Sequence, residues 1–426
     1  MKKLFTLGMM SALACANITA QTLTMIPVDE ETLTTFLVQH MAPNGKYISG
    51  YAASTGQPIV ADWQNEDVKV FESVTNAETP WVNSDGTAVG YNRQGSVKLN
   101  FQTGEYEDID PTDEAGIRGV CEAITEDGTI IAGAYINAKW NETACYWENG
   151  LRKDLPVPTS DEMGFEVEGA HAKYISKDGT FIVGYLNMTP ALDPMVIWQR
   201  QADGTYQCNP VCKDWVRAND NDAQHADNPY KKFTPAGISP DGRFIAVNIR
   251  DYYSDDAWDW PDMKIGRYEV ATGKLEVFGV EDFSCTAEAI ANDGTIVGET
   301  DGLDTYGIIL RPDDEKPQAM YTVYGIDEFY YFDLYGGHEV KGISEDARYI
   351  AGVGPVMKGE TIFPSGRDAY VLYTKGQPTA IAVVSHDGNQ GQAGYYTVDG
   401  RKSQKPAKGL NIVKTAAGQT KKVLVK

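Results

Sequence analysis

Short apolar runs, paired around an Asp-Gly or Asn-Gly step, recur along this chain and set its organisation. In Ala123-Ile124-Thr125-Glu126-Asp127-Gly128-Thr129-Ile130-Ile131-Ala132-Gly133, two runs flank Asp127-Gly128. This predicts a strand, a two-residue turn and a second strand. The same phrase returns with turns beginning at Asn44, Asp85, Asp178, Asp241, Asp293 and Asp346. A tight hairpin needs positive φ, which Gly supplies cheaply and Asn or Asp tolerates. Ala347 alone breaks the Gly column, so a different or strained turn is expected there. The Gly that trails six of the seven phrases suits close approach by a neighbour.

Turn-to-turn spacing runs from 41 to 63 residues, and a period of about 40–50 residues with four strands per unit is that of a propeller blade. The third strand of a unit tends to end in an aromatic, as in Ala61-Asp62-Trp63, Ala144-Cys145-Tyr146-Trp147 and Met195-Val196-Ile197-Trp198. A fourth strand follows a polar turn, as in Leu275-Glu276-Val277-Phe278. The aromatic rings are expected to fill the space between blades. The fold expected is all-β: a seven-bladed β-propeller over residues 21–385, six or eight blades being the alternatives, then a small C-terminal β-domain over 386–426. Leu23-Thr24-Met25-Ile26 is expected to be an outer strand that closes the ring and hides an edge of the last blade.

The phrase Ile-Ser-x-Asp-Gly-x-x-Ile-x-Gly, followed by a Trp-bearing strand, resembles the repeats of extracellular HAF-type proteins. Ser239-Pro240-Asp241-Gly242-Arg243 resembles the repeat of TolB-like propellers. The resemblance spans about residues 40–380 and implies architecture more than activity, because propellers host many unrelated functions. Near the end, Asp399-Gly400-Arg401, Lys408-Gly409-Leu410-Asn411-Ile412-Val413 and Lys421-Lys422-Val423-Leu424-Val425-Lys426 resemble, in short form, the C-terminal sorting domain of the Por (type IX) secretion system of Bacteroidota. That resemblance implies export across the outer membrane, with the tail engaging secretion machinery.

Met1-Lys2-Lys3, the apolar run from Leu4 to Ala16, and Ile18-Thr19-Ala20 before Gln21 predict a signal peptide over residues 1–20. No later run of about 18 apolar residues would span a membrane as a helix. The expected location is the outer-membrane surface or the extracellular space, with the periplasm as alternative. The formal net charge of −23 is uneven: residues 391–426 carry +7 and the leader +2, leaving −32 for residues 21–390. So acidic a body repels nucleic acid and anionic membranes, and its self-repulsion favours a monomer. Five cysteines follow the leader, and the odd number argues against a full disulfide framework. Cys121 with Cys145, and Cys208 with Cys212, are the pairs open to bridging.

Two places gather candidate chemistry. Counting seven and five residues back from each turn puts Glu78, Glu122, His171, Lys173, Thr234, Glu288, Glu339 and Lys341 on the channel face of the innermost strands, with His338 beside them. Ionisable groups converging on one channel are where ligands bind, although a water-filled channel lined with polar groups is the plainer reading. Glu122, Glu288, His171 and Glu339 are the catalytic candidates there; Lys173, Lys341 and His338 are ligand candidates. The second place is the loop from Asp251 to Asp262. Its Tyr252, Tyr253, Asp255, Asp256, Trp258 and Trp260 could stack on and hydrogen-bond a sugar, and Asp255, Asp256 and Asp259 are candidate Ca²⁺ ligands. No other cofactor is indicated, and no His-Glu-x-x-His array, nucleophile elbow or phosphate loop occurs. Three functions stay open: a propeller binding an extracellular glycan or protein, a carbohydrate- or peptide-processing enzyme using channel carboxylates, and a scaffold in an envelope complex.

Overall fold

Each repeated phrase folds as a hairpin, and the seven hairpins are the inner halves of seven four-stranded antiparallel sheets. The computed structural model describes residues 22–26, 35–74, 76–111, 113, 116–136, 141–163, 166–189, 194–211, 231–251, 263–279, 284–301, 306–324, 338–356, 366–374, 394–397, 402–403, 409–414 and 420–425. The sheets are the blades of a seven-bladed β-propeller: blade 1 over residues 36–70, blade 2 over 78–111, blade 3 over 118–154, blade 4 over 166–210, blade 5 over 231–278 and blade 6 over 284–319. Blade 7 takes its three inner strands from Glu339–Ile343, Tyr349–Val356 and Gly366–Tyr373, and its outer strand from Thr22–Ile26. The closing strand pairs antiparallel from Thr22↔Tyr373 to Ile26↔Ala369. The sequence reading of that strand therefore holds, and an open blade edge is covered.

Seven buried apolar clusters hold the ring, one at each interface between neighbouring blades. The tryptophans ending the third strands lie in these seams. Trp198 is fully buried among residues of blades 3 and 4, and Trp147 packs on Val89 and Ile109 of blade 2. Each indole N–H is satisfied, Trp198 by the Pro156 carbonyl at 2.7 Å and Trp63 by the Gly45 carbonyl at 2.7 Å.

The turns differ from the two-residue form expected. Between the last paired residues, Thr125 and Ile130, four residues intervene, and positive φ falls on Gly128 (71°) but not on Asp127. The Asp contributes through its carboxylate instead. Asp178 Oδ1 accepts from the Ser176 hydroxyl at 2.8 Å and the Thr180 N–H at 2.9 Å, while Ser176 Oγ accepts from the Phe181 N–H at 3.0 Å. The same set recurs at Ser239/Asp241 and Ser344/Asp346. This accounts physically for the Ser-x-Asp-Gly spacing. Ala347 adopts the left-handed conformation too, at φ 56°, so its turn keeps the form of the others and carries strain.

Every innermost strand carries a β-bulge five residues before its turn. The register skips Gln39, Thr79-Pro80, Glu122, Lys173, Ala236, Glu288 and Lys341 in blades 1 to 7. The trailing glycines answer this bulge. A Cβ on Gly50, Gly90, Gly133, Gly184, Gly298 or Gly352 would run into the carbonyl oxygen of Leu37, Glu78, Val120, His171, Thr286 or Glu339, respectively. The repeat thus encodes a displaced inner strand and the space to accept it.

Cys121 and Cys145 are buried free thiols. Both pair with Gly133, one on each side, so a strand lies between them and their backbones are about 10 Å apart, too far for a bridge. Cys208 is also free, and Cys212 lies outside the described residues. The chain divides into two compact units, Met1–Gln377 and Pro378–Lys426. In the second, Lys402–Ser403, Gly394–Thr397, Gly409–Lys414 and Thr420–Val425 form one antiparallel sheet in that order. The predicted signal peptide lies outside the described residues, and among these no helix is long and apolar enough to cross a membrane.

Candidate binding site on the propeller axis

The bulges turn the skipped side chains toward the axis, where a cavity of about 420 Å³ opens. Its wall includes the bulge residues Gln39, Pro80, Glu122, Lys173, Glu288 and Lys341. Blade 5 alone presents no such group, because its bulge residue is the buried Ala236. Leu37, Glu78, Glu339 and Tyr51 line one end of the cavity, and Trp81, Tyr174, Pro43 and Pro240 lie deeper toward the turns.

The two lysines are each paired with a carboxylate from the preceding blade, and the pairs sit on opposite sides of the ring. On blades 3 and 4, Glu122 Oε1 accepts from Lys173 Nζ at 2.7 Å and from His171 Nε2 at 2.8 Å. The other ring nitrogen, Nδ1, meets Glu142 Oε2 at 3.1 Å, and Asn187 donates to the same oxygen at 3.1 Å. His171 also stacks on Tyr185, with ring centroids 5.6 Å apart. Burial pushes the Glu122 pKa up, but Lys173 and His171 outweigh it and hold the carboxyl below its ordinary range. Burial pulls His171 down, while its two carboxylates carry it above the ordinary imidazole value. The cluster is a carboxylate–imidazolium–carboxylate chain with an ammonium beside it, and its formal charges cancel.

On blades 6 and 7, Lys341 Nζ lies 3.3 Å from Glu288 Oε1 and 3.1 Å from Glu299 Oε1. Glu339 acts on the same two groups electrostatically, so three carboxylates surround one ammonium. Burial drives Lys341 down, but Glu288 and Glu299 overcome this and leave it raised. Burial, with Glu288 and Glu339 adding to it against Lys341, pushes Glu299 up to about 7. Its second oxygen, Oε2, is buried with no hydrogen-bond partner.

Aromatic rings occupy the deeper part. His40 stacks on Trp81 with centroids 3.9 Å apart and planes 20° apart, and Trp81 lies 6.2 Å from Tyr174 across blade 3. His40 Nδ1 accepts from the Val82 N–H at 3.2 Å, and burial lowers its pKa to about 3, which keeps the ring neutral. Beyond them, the seven turns are tied into a collar. Successive links run from Asn44 to Ser84, Ser84 to Glu126, Glu126 to Lys177, Lys177 to Pro240, Asp241 to Asn292, Asn292 to Glu345, and Glu345 to Pro43. Lys177 Nζ reaches Glu345 Oε2 at 2.9 Å between blades 4 and 7, bridging the axis at this end. At the end away from the turns, Tyr91 donates to Glu78 at 2.8 Å.

Of the residues singled out from the sequence, Glu78, Glu122, Lys173, Glu288, Glu339 and Lys341 line the cavity, with His171 directly behind Glu122. Thr234 is not among the lining residues. His338 corrects the expectation that it joins the channel set. It is buried between blades 6 and 7, where Nδ1 accepts from the Gly307 N–H at 3.1 Å and Nε2 meets the Tyr370 hydroxyl at 2.7 Å. Tyr252, Tyr253, Asp255, Asp256, Trp258, Asp259 and Trp260 lie outside the described residues. Among the described residues, no three His, Cys, Asp or Glu side chains are arranged to hold a metal ion. Glu142, Glu299 and Tyr185 were missed because they sit on second or third strands. A signal existed for Glu299: it follows the trailing Gly298, at the position where Tyr51, Tyr91 and Tyr185 follow theirs.

No protein-family model matches the chain, and no curated protein does. Solved structures do. An oligogalacturonate lyase from Vibrio parahaemolyticus aligns with TM-score 0.54 and 13% identity over 83% of this chain and 97% of that one. An oligogalacturonate lyase in complex with manganese aligns with TM-score 0.51 and 10% identity over 88% and 98%. TolB from Acinetobacter baumannii aligns more loosely, with TM-score 0.41 and 13% identity over 65% and 63%. At these identities the likeness is one of fold, and the class it defines is the β-propeller.

Proposed function

We propose that this chain is an exported, non-catalytic binding propeller whose axial pocket takes the end of an extracellular glycan. The observation that carries this reading is the pocket itself. Its volume of about 420 Å³ is that of a small-ligand site. It offers rings for stacking (Trp81, Tyr174, Tyr51) and fixed donors and acceptors on facing walls. Sugars present a face of C–H groups and a rim of hydroxyls, which that combination suits. The hydrolase alternative is weaker at Glu122, because a carboxyl held ionised by Lys173 and His171 has no proton to lend at neutral pH. The tail and the leader support export by their resemblance to sorting and signal sequences.

The test is calorimetric titration of residues 21–426 with neutral oligosaccharides, beside a Trp81→Ala variant. Binding that falls at least tenfold in the variant, with no turnover of the sugar, is the expected result. Cleaved sugar would overturn the non-catalytic reading, and undiminished affinity in the variant would place the site elsewhere.

A further inference from the structure

The end of the axial cavity nearest the turns holds three hydrogen-bond donors that the fold itself does not use. His40, Trp81 and Tyr174 all line the cavity, His40 stacked on Trp81 and Trp81 beside Tyr174. His40 Nδ1 accepts from the Val82 N–H and the ring is neutral, so its one proton is on Nε2. The Trp81 indole offers Nε1–H, a donor only, and the Tyr174 phenol offers its O–H. Burial, reinforced by Glu288 and Glu122, raises the Tyr174 pKa, so the phenol keeps its proton. None of these three atoms is hydrogen-bonded to a described residue, and none is sealed from solvent. They open into the cavity that their side chains line.

The wall around them is apolar. Ile238, Ile290 and Ile343 are the last residues of their inner strands before the turns, and all three line the cavity. Glu288 precedes Ile290 by two residues on the same strand and so stands nearer the other end. Such a surface selects among ligand groups. The group must accept hydrogen bonds, since donors left unpaired when a ligand closes over them cost affinity. It must be uncharged, because an anion there meets Glu122 and Glu288. It must also bring an apolar patch to the isoleucines. A sugar hydroxyl meets the first two conditions and fails the third, whereas an acetamido group, a carbonyl acceptor with a methyl attached, meets all three.

We propose that the deep end of this pocket is an acetamido subsite, so that the glycan it takes presents a 2-acetamido sugar at its tip. The inference rests on the glycan reading above and names the class of sugar. The amide carbonyl accepts from the donors of His40, Trp81 and Tyr174, and the methyl lies against Ile238, Ile290 and Ile343. The hydroxyls of the sugar then meet the charged side chains at the level of the bulges.

The experiment compares disaccharides of one β-1,4-linked frame by calorimetry at pH 7: cellobiose, the disaccharide of glucosamine, and its N-acetylated and N-formylated forms. The acetylated sugar is expected to bind about tenfold or more tightly than cellobiose or the glucosamine disaccharide. The formylated sugar, which keeps the carbonyl and lacks the methyl, should fall between. Tyr174→Phe and Trp81→Phe keep a ring and delete one donor each. Verified as folded by circular dichroism, each should narrow the preference for the acetylated sugar over cellobiose by about threefold or more. Equal binding of cellobiose and the acetylated sugar, or an unchanged preference in both variants, would overturn the acetamido subsite and leave the glycan site standing. Tightest binding by the glucosamine disaccharide would do the same. No binding by any of the four would sink both readings. N-acetylglycinamide binding as tightly as the acetylated disaccharide would uphold the acetamido subsite and overturn the sugar.

Discussion

The glycine column of the turns can be tested by moving one residue in each direction. Gly128 sits at φ 71°, and a Cβ built on it would meet only the Lys98 ammonium, 4.0 Å away. Gly128→Ala therefore isolates the backbone term. Left-handed backbone costs an L-residue about 1–2 kcal/mol, and losing the extra unfolded-state freedom of Gly returns about 0.5–1 kcal/mol. The expected net loss is about 0.5–1 kcal/mol. Gly179→Ala adds sterics, since its Cβ would lie 2.9 Å from Ile130 Cδ1 and 3.2 Å from Thr125 Cγ2. Overpacking of that kind adds about 1–3 kcal/mol. Ala347→Gly runs the other way, relieving an Ala at φ 56°, and should gain about 0.5 kcal/mol after the entropy loss. Urea unfolding followed by tryptophan fluorescence reads all three. With an m-value of about 3 kcal/mol/M or more, Gly128→Ala should lower the midpoint by about 0.2–0.3 M. If Gly128→Ala and Gly179→Ala were equal, or Ala347→Gly destabilised the protein, left-handed strain and close approach would not be what the column records.

Further outcomes follow from the axial clusters and the closing strand. Glu122 has a lowered folded pKa, so its contribution is present above the unfolded carboxyl value and disappears as pH falls through the folded one. His171 has a raised folded pKa, so its contribution is complete below the unfolded imidazole value and disappears as pH rises through the folded one. Glu122→Gln should flatten the acid limb of stability against pH and His171→Gln the alkaline limb; unchanged limbs would deny the pairing. Glu299, raised to about 7, binds an extra proton in the folded state, so it erodes stability as pH rises from its ordinary value through 7. Glu299→Gln should gain on the wild type between pH 5 and pH 8, by up to about 3 kcal/mol, and a constant difference would refute this. Removing residues 22–26 uncovers the edge of Gly366–Tyr373 and should produce concentration-dependent association in light scattering; a stable monomer would show that closure is dispensable.

The architecture was legible because one hairpin phrase is written seven times, with an Asp or Asn at every turn, a Gly after it in six, and a trailing glycine in six, which local backbone needs impose. The closing strand was legible from its isolated apolar alternation. Half of the site could be counted from the turns, since one bulge per blade puts the same repeat position on the axis. What stayed hidden required knowledge of pairing. Glu142 and Glu299 reach the clusters from other strands of their blades, and no spacing within one strand announces such a neighbour. His338 misled because the inner strand's residues alternate between the channel and the seam, and a polar residue satisfied by Tyr370 in the seam looks the same in one dimension. The role of Asp in the turns was misjudged for a related reason: tolerance of positive φ and acceptance of local N–H groups both select Asp.

The strand at residues 22–26 is the first part of the ring to be synthesised and pairs with residues about 345 positions later. Its contacts add the longest sequence separation in the propeller, the kind that slows folding. A chain emerging from a pore N-terminus first must keep this strand unpaired until blade 7 has followed it, so ring closure is the late step. In the pairing, Thr22 stands opposite Tyr373. Transplanting residues 22–26 behind Tyr373 through a short turn would convert that pairing into a local hairpin. The ring's contacts would be unchanged, while its assembly would no longer wait for the two ends of the chain to find each other.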